Sequence, residues 1–289
     1  MQDKLVMAGI VTYNPELNLL EENLKVLIEQ VDQIWIVDNG SQNQCELKER
    51  LAYFNQIDYV LLKENKGIAY ALNRIMGIAE REKYLWVITL DQDSMVPCDI
   101  ISSNKELMES STDIAIIAAV IDDRNQVHKT PAYEKRKKYS EINECITSAS
   151  ITSVPIWKEI NRFDEKMFID LVDVEYCLRA KKHGKRIVRN NEVWLSHTVG
   201  NIKEYRFLWK WTPVRNHSAF RKYYQIRNLF YMYKKIYGTF RIAMWRDVFV
   251  AYFKVLFYEN DKKNKIIKMN HGVRDGLIMA KNIDEGHEL

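Results

Sequence analysis

Two carboxylates separated by one residue, Asp91 and Asp93, follow directly on the apolar run 84–90. Residues two apart in extended chain point to the same side. Like charges held that close repel unless a cation lies between them, and hard carboxylate oxygens suit Mg²⁺ or Mn²⁺. The pair therefore reads as half of a divalent-metal site, or as a turn, since Asp and Ser also favour turns after strands. A second acidic group is Asp170 and Asp173. From Asp173 the pattern turns helical, with Val174, Cys177 and Leu178 inward and a basic end at Lys181, Lys182 and His183. That puts Asp173 at a helix N-terminus, where the dipole favours an ionised carboxylate. The plainer reading is an N-cap bonded to the amide of Tyr176 or nearby. His197, after the apolar run 193–196, either joins the metal, contacts a diphosphate, or is structural.

The elements that position these groups alternate in type. Strands are expected at 5–11, 34–37, 59–62, 84–90 and 114–120. Between them Pro15 opens a helix to about residue 30, and Ile68, Leu72, Ile75 and Ala79 make one face of another. This βαβαβαβ order predicts a doubly wound, mostly parallel sheet. Ligands of such sheets bind at the carboxyl ends of the strands, where Asp91 and Asp93 arrive. Asp38, ending strand 34–37, would accept from a base or ribose there, and amides near Gly67 would face a diphosphate at a helix N-terminus. Polar strand ends are also simply where loops begin. No Gly-x-Gly-x-x-Gly follows the first strand and no Gly-Lys-Ser/Thr occurs, so dinucleotide and P-loop readings are poor. Residues 122–144, with four basic residues at 135–138, read as an exposed loop or small hairpin that closes over a ligand, or as a merely solvated excursion. Residues 145–152 read as a strand, and 157–163 as a short helix.

At 289 residues, 47% hydrophobic and 28% charged, the chain has the composition of a soluble globular protein with a real core. The start lacks the basic and apolar regions of a signal peptide. No apolar run approaches the ~20 residues that span a bilayer. Four cysteines without Cys-x-x-Cys spacing argue against zinc and disulfides and for the cytoplasm. Charge is uneven: residues 201–289 carry 18 Lys and Arg against 8 Asp and Glu, while residues 1–200 carry 25 against 31. Of the 33 aromatic residues, 18 fall in 201–289. The chain is thus expected to divide into 1–200 and a helical, aromatic and basic extension at 201–289. The extension suits an anionic membrane surface, nucleic acid, or packing on the first part.

Val11-Thr12-Tyr13-Asn14, Val37-Asp38-Asn39-Gly40-Ser41, Asn65-Lys66-Gly67-Ile68-Ala69 with Asn73, and Asp91-Gln92-Asp93-Ser94 stand in an order that resembles the family 2 glycosyltransferases, inverting enzymes of the GT-A fold. The resemblance covers roughly the first 200 residues. It implies a nucleotide-sugar site: Thr12, Asn14 and Asp38 at the nucleoside, Asn65 and Gly67 near ribose and diphosphate, Asp91 and Asp93 at diphosphate and metal. The family's acidic motif, commonly Glu-Asp, is Val172-Asp173 here, so only the aspartate carries over as general base, with Asp170 compensating for the lost glutamate. Phe168-Ile169-Asp170, Val172-Asp173-Val174-Glu175 and Cys177-Leu178-Arg179 resemble the rhamnosyltransferase subgroup, as does Arg221-Lys222-Tyr223-Tyr224 with Arg227 and Asn228, near acceptor or phosphate. The implied partners are a dTDP-sugar, a polyprenyl-diphosphate-linked glycan acceptor and the inner face of the cytoplasmic membrane, held peripherally, and no nucleic acid. The competing readings are a metal-dependent nucleotidyltransferase, which usually has a Gly-rich basic loop where Thr12-Tyr13-Asn14-Pro15 stands, and a non-catalytic nucleotide-sugar binder.

Overall fold

The strand residues of the first half alternate between two cores. β1 (Lys4–Thr12), β2 (Ile34–Asp38), β3 (Ile57–Leu61) and β4 (Tyr84–Asp91) run parallel in the order β3-β2-β1-β4. Val6, Ala8 and Ile10 of β1 pack with Leu20, Leu24 and Leu27 of α1 (Leu17–Leu27). Met7 packs on the other side with Leu72, Ile75 and Met76 of α3 (Ile68–Arg81). Both faces are covered, which is why these strands read as continuous apolar runs. α1 starts two residues beyond Pro15, capped by the Glu16 carboxylate on the amides of Asn18 and Leu19. The short α2 (Gln44–Arg50), not expected from the sequence, buries only Leu47 and so shows no periodicity.

The computed structural model describes residues 4–123, 137–197, 203–207 and 210–285. Beyond β4 come α4 (Lys105–Ser110), β5 (Ile114–Asp123), β6 (Tyr139–Glu141), β7 (Ser150–Ser153), α5 (Val154–Glu159), α6 (Val172–Lys182) and β8 (Arg186–His197). They extend one sheet to the order β3-β2-β1-β4-β7-β5-β8-β6. β7 is antiparallel to both its neighbours, and all four of its residues are buried. Because it runs against β4, its start meets Thr89 at the carboxyl end of β4. The excursion expected at 122–144 ends in β6, an antiparallel edge strand on β8; residues 124–136 lie outside the described residues.

A hairpin, β9 (Lys203–Phe207) and β10 (Lys210–Val214), precedes three helices: α7 (Ala219–Tyr237), α8 (Ile242–Tyr258) and α9 (Lys262–Asp284). α7 packs along α9, where a Cβ at Gly276 would meet the Arg227 carbonyl oxygen at 2.8 Å. Ile226, Phe230, Met244, Val255 and Met269 join the same buried cluster as α3, α5 and α6. The C-terminal helices are therefore packed onto the sheet domain. No helix among the described residues is long and apolar enough to cross a membrane.

Candidate active site

β1 bonds β2 on one side and β4 on the other, with Val11 beside Asp91, so the strand order reverses between β1 and β4. That reversal opens a crevice at the carboxyl ends. On its β2 side the Thr12 hydroxyl donates to Asp38 at 2.8 Å. Asp38 also accepts from the Ser41 amide at 2.8 Å, the Ser41 hydroxyl and the Gln44 side chain at 2.6 Å. This carboxylate is fully buried and satisfied by its own chain. Asn14 ties the same corner: its amide donates to Ser41 and its Oδ1 accepts from the Gln42 amide at 2.8 Å. Thr12, Asn14 and Asp38 thus form one network that shapes the crevice wall.

At the end of β4, the Ser94 amide donates to the Asp91 carbonyl at 3.2 Å, closing a turn. Turn and paired carboxylates therefore coexist. Gln92, between them, accepts from the Tyr13 amide at 2.8 Å and pins this turn to β1. Asp93 is exposed and Asp91 half-buried, and the buried Ser148 hydroxyl accepts from the Asp91 amide at 3.2 Å. Ser148 and Gln92 carried no sequence signal, because their partners are distant in the chain.

The 65–68 loop is braced from within. The Lys66 amide donates to Asn39, the Gly67 amide to Asn65 and the Ile68 amide to the Phe168 carbonyl, at 2.8–2.9 Å. These three amides are thus taken. Gly67 has φ +88°, and a Cβ there would meet the Phe168 carbonyl oxygen at 2.5 Å. A side chain at this position would push the 65–68 loop from the segment that carries Asp170 and Asp173.

That segment is wound unusually. Asp170 and Leu171 both have left-handed backbones, at φ +66° and +64°. Consecutive left-handed non-glycine residues are strained, and α7 holds them. Asn228 donates to the carbonyls of Ile169 and Asp170 at 2.8 and 2.9 Å, and Arg221 donates to both carboxylate oxygens of Asp170. Leu171 occupies the N-cap position of α6, so Asp173 is not the cap; its Oδ1 accepts from the Val174 amide at 2.9 Å. Burial pushes the Asp173 carboxyl up to about 6; the Val174 amide opposes this, and the charges of Asp91 and Asp170 add to it. Carboxylates from two distant segments, Asp91 and Asp170, thus act on Asp173.

In the same helix, the subgroup-like Glu175 and Arg179 have a different task. Arg179 donates to both Glu175 oxygens at 2.7 and 2.8 Å and to the carbonyls of Ile160 and Arg162. Lys235 of α7 adds a second cation to Glu175 at 2.8 Å. Arg227 donates to the Lys166 carbonyl at 2.6 Å and lies 4.6 Å from the centre of the Tyr224 ring, which stacks on Phe168. His217 is near Arg221; burial, then the Arg221 charge, lowers its pKa to about 4, so it is neutral at pH 7. His197 ends β8, but its side chain lies outside the described residues. Cys145 and Cys177 are free thiols 3.8 Å apart.

Residues 8–166, more than half of the chain, match the model of glycosyl transferase family 2. The chain belongs to that family. The match stops just short of Asp170 and Asp173, but a longer likeness includes them. The glycosyltransferase is 28% identical over 294 residues to dTDP-rhamnosyl transferase RfbF of Shigella flexneri, covering 97% of each protein. Among solved structures, the mannosyltransferase PcManGT from Pyrobaculum calidifontis, in complex with GDP-Man and Mn²⁺, superposes with TM-score 0.59 at 14% identity, over 100% of this chain and 77% of that one. S. aureus TarS 1–349 in complex with UDP-GlcNAc gives 0.60 at 12%, over 98% and 92%. These neighbours show the GT-A fold. Family membership removes the nucleotidyltransferase reading.

Among the described residues of the glycosyltransferase, no three His, Cys, Asp or Glu side chains converge to hold a metal by protein ligands alone. Asp91 and Asp93 nevertheless fit a hard divalent ion that takes its other oxygens from a diphosphate. The charge that Asp91 exerts on Asp173 marks the anionic edge such an ion would meet.

Proposed function

We propose that this glycosyltransferase moves L-rhamnose from dTDP-rhamnose to a lipid-linked precursor of a bacterial surface polysaccharide, with inversion at the anomeric carbon. The observation that carries a transfer chemistry is Asp173: a half-buried carboxylate with a pKa of about 6, at the start of α6 and within the field of Asp91. A base with that pKa is ionised at neutral pH and still able to take a proton. The full-length likeness to dTDP-rhamnosyl transferase RfbF supports the donor.

The acceptor hydroxyl donates to the Asp173 carboxylate as its oxygen attacks the anomeric carbon from the face opposite the diphosphate. The bond from that carbon to the diphosphate oxygen breaks, its electron pair leaves with dTDP, and the proton stays on Asp173. Mg²⁺ or Mn²⁺ held by Asp91 and Asp93 would supply charge stabilisation to the diphosphate when bound. Thr12, Asn14 and Asp38 shape the nucleoside wall, and Asn65 and Gly67 set the loop beside ribose and diphosphate. Asp170 takes the place of the family's missing glutamate as a positioning residue, clamped by Arg221, while Arg227 keeps the Phe168 loop in place. His197 stays a candidate third ligand. In this reading residues 1–200 bind the donor, residues 201–289 complete the acceptor side, and the enzyme works peripherally on the cytoplasmic face of the membrane.

The test is a panel of dTDP-, UDP- and GDP-sugars, scored for donor hydrolysis and for thermal stabilisation with Mg²⁺ or Mn²⁺. dTDP-rhamnose should give the highest turnover. Turnover with UDP-glucose and none with dTDP-rhamnose would overturn the donor assignment.

A further inference from the structure

α8 presents apolar residues on both of its sides. Met244, Val248 and Val255 turn inward and are buried. On the opposite side Ile242, Trp245, Phe249 and Phe257 are exposed, Ile242 at 89% and Phe249 at 69%. Phe253 links them, with ring centres 6.3 Å from Phe249 and 4.5 Å from Phe257. Steps of three and four residues put positions 242, 245, 249, 253 and 257 in one stripe. Over 17 residues that stripe is about 25 Å long. A contiguous apolar surface of this kind on a folded protein marks a contact site.

What covers it is indicated by the charge around it. At the start of α8 a cavity of about 760 Å³ is lined by Lys181, Lys182, Lys234, Lys235 and Arg241, against a single acid, Asp284. Lys234 pairs with Asp284 and Lys235 with Asp164 and Glu175, while Lys182 donates to the Ile236 carbonyl and Arg241 lies over the Tyr237 ring. The lining therefore keeps an excess of positive charge. Ile242, the first residue of the stripe, follows Arg241 directly, so the stripe begins where the cationic lining ends. Trp and Phe next to Arg and Lys is the composition of a helix lying in a bilayer interface.

The end of α8 is tied to the helix that clamps Asp170. There Glu259, which follows α8, pairs with Lys222 at 2.6 Å and Lys265 at 2.9 Å, a buried knot joining α8 to α7 and α9. Lys222 is the neighbour of Arg221, which clamps Asp170. We propose that the outward face of α8, with the cationic cavity at its start, docks on an anionic phospholipid bilayer and so lays the membrane along the acceptor side. This deepens the lipid-linked acceptor reading and rests on it for where the acceptor lies, but binding is measured without turnover.

The test is flotation of the full chain with phosphatidylcholine vesicles, with and without phosphatidylglycerol, at low and high salt. The wild type should float only with phosphatidylglycerol and less as salt rises. Phe249→Ser with Phe257→Ser, and separately Arg241→Glu, should each weaken binding about tenfold or more while nucleotide-diphosphate thermal stabilisation stays the same. If the double variant does not fold, Phe249→Ser and Arg241→Glu alone carry the comparison. No binding by the wild type, equal binding by the variants, or a wild-type dimer that the Phe variants convert to monomer would each overturn the proposal. Loss of dTDP-rhamnose turnover with flotation intact would instead remove the donor reading.

Discussion

Asp173 and Glu175 stand two residues apart in the first turn of α6, and the structure uses them in opposite ways. Glu175 is fully buried between Arg179 and Lys235, with every charge on it answered by the protein. Asp173 meets backbone amides, those of Val174 and of its own residue, and the charges of two other carboxylates, with no cation among the causes that shift it. A compensated carboxylate fixes a joint; an uncompensated one keeps its affinity for a proton or a cation. The difference lies in which neighbours α7 and the 160–162 loop bring, since the residue type is almost the same.

The largest effect on transfer should come from Asp173→Asn, which keeps the shape and deletes the proton acceptor. Transfer should fall roughly a hundredfold or more, with donor-induced thermal stabilisation nearly unchanged. Asp170→Asn should cost less, because Asp170 acts through position. If Asp170→Asn abolishes transfer and Asp173→Asn stays active, the two roles are reversed. On the structural side, Arg179→Met leaves Glu175 buried with only Lys235 as cation, and breaking a buried pair costs about 3–5 kcal/mol. A urea midpoint unchanged from wild type would show that Lys235 alone suffices.

Metal linkage should be smaller. With dTDP at about 100 times its dissociation constant, ligand binding adds about 2.7 kcal/mol of stability. Most of this should need Mg²⁺ or Mn²⁺ and vanish in EDTA or in Asp93→Ala; equal melting shifts in all three conditions would remove the metal from Asp91 and Asp93. The smallest effect is on pH. Because burial holds the Asp173 pKa near 6, the base is ionised above that value and protonated below it. kcat/KM should fall about tenfold per unit as pH drops below about 6. Stability runs the other way: the folded state holds this proton more tightly than the unfolded chain, so the contribution of Asp173 is favourable below about pH 4 and is lost as pH rises through about 6. Asp173→Asn should abolish that slope in melting temperature, and a slope that persists would belong to another group.

Much of the site was legible because strand ends bring their residues to the same edge. The runs before Thr12, Asp38 and Asp91 gave the parallel strands, and the parallel arrangement alone puts their last residues together. What the sequence left open were distant contacts. Asp38 looked free to meet a nucleoside, yet Thr12, Ser41 and Gln44 engage its carboxylate. The amides near Gly67 looked available to phosphate, yet Asn39, Asn65 and Phe168 take them. Arg221 and Asn228 were expected near an acceptor or a phosphate; the left-handed pair at Asp170 and Leu171, which they hold, is visible only in the backbone.

The sequence by itself determined the alternation of elements, the family, and the acidic residues at the sheet edge, since hydrophobic periodicity and strand-end residues are local properties. It also determined that the last third is basic and aromatic. Tertiary structure decided that β7 enters the sheet antiparallel, that Asp173 is raised while Glu175 is paired with Arg179 and Lys235, and that the stripe of α8 faces outward while residues of α7, α8 and α9 such as Phe230, Met244 and Met269 pack into the core. The physical reason is common to all three. Pairing, charge compensation and exposure depend on which distant residues arrive alongside, and the order of residues along one strand or helix does not contain that.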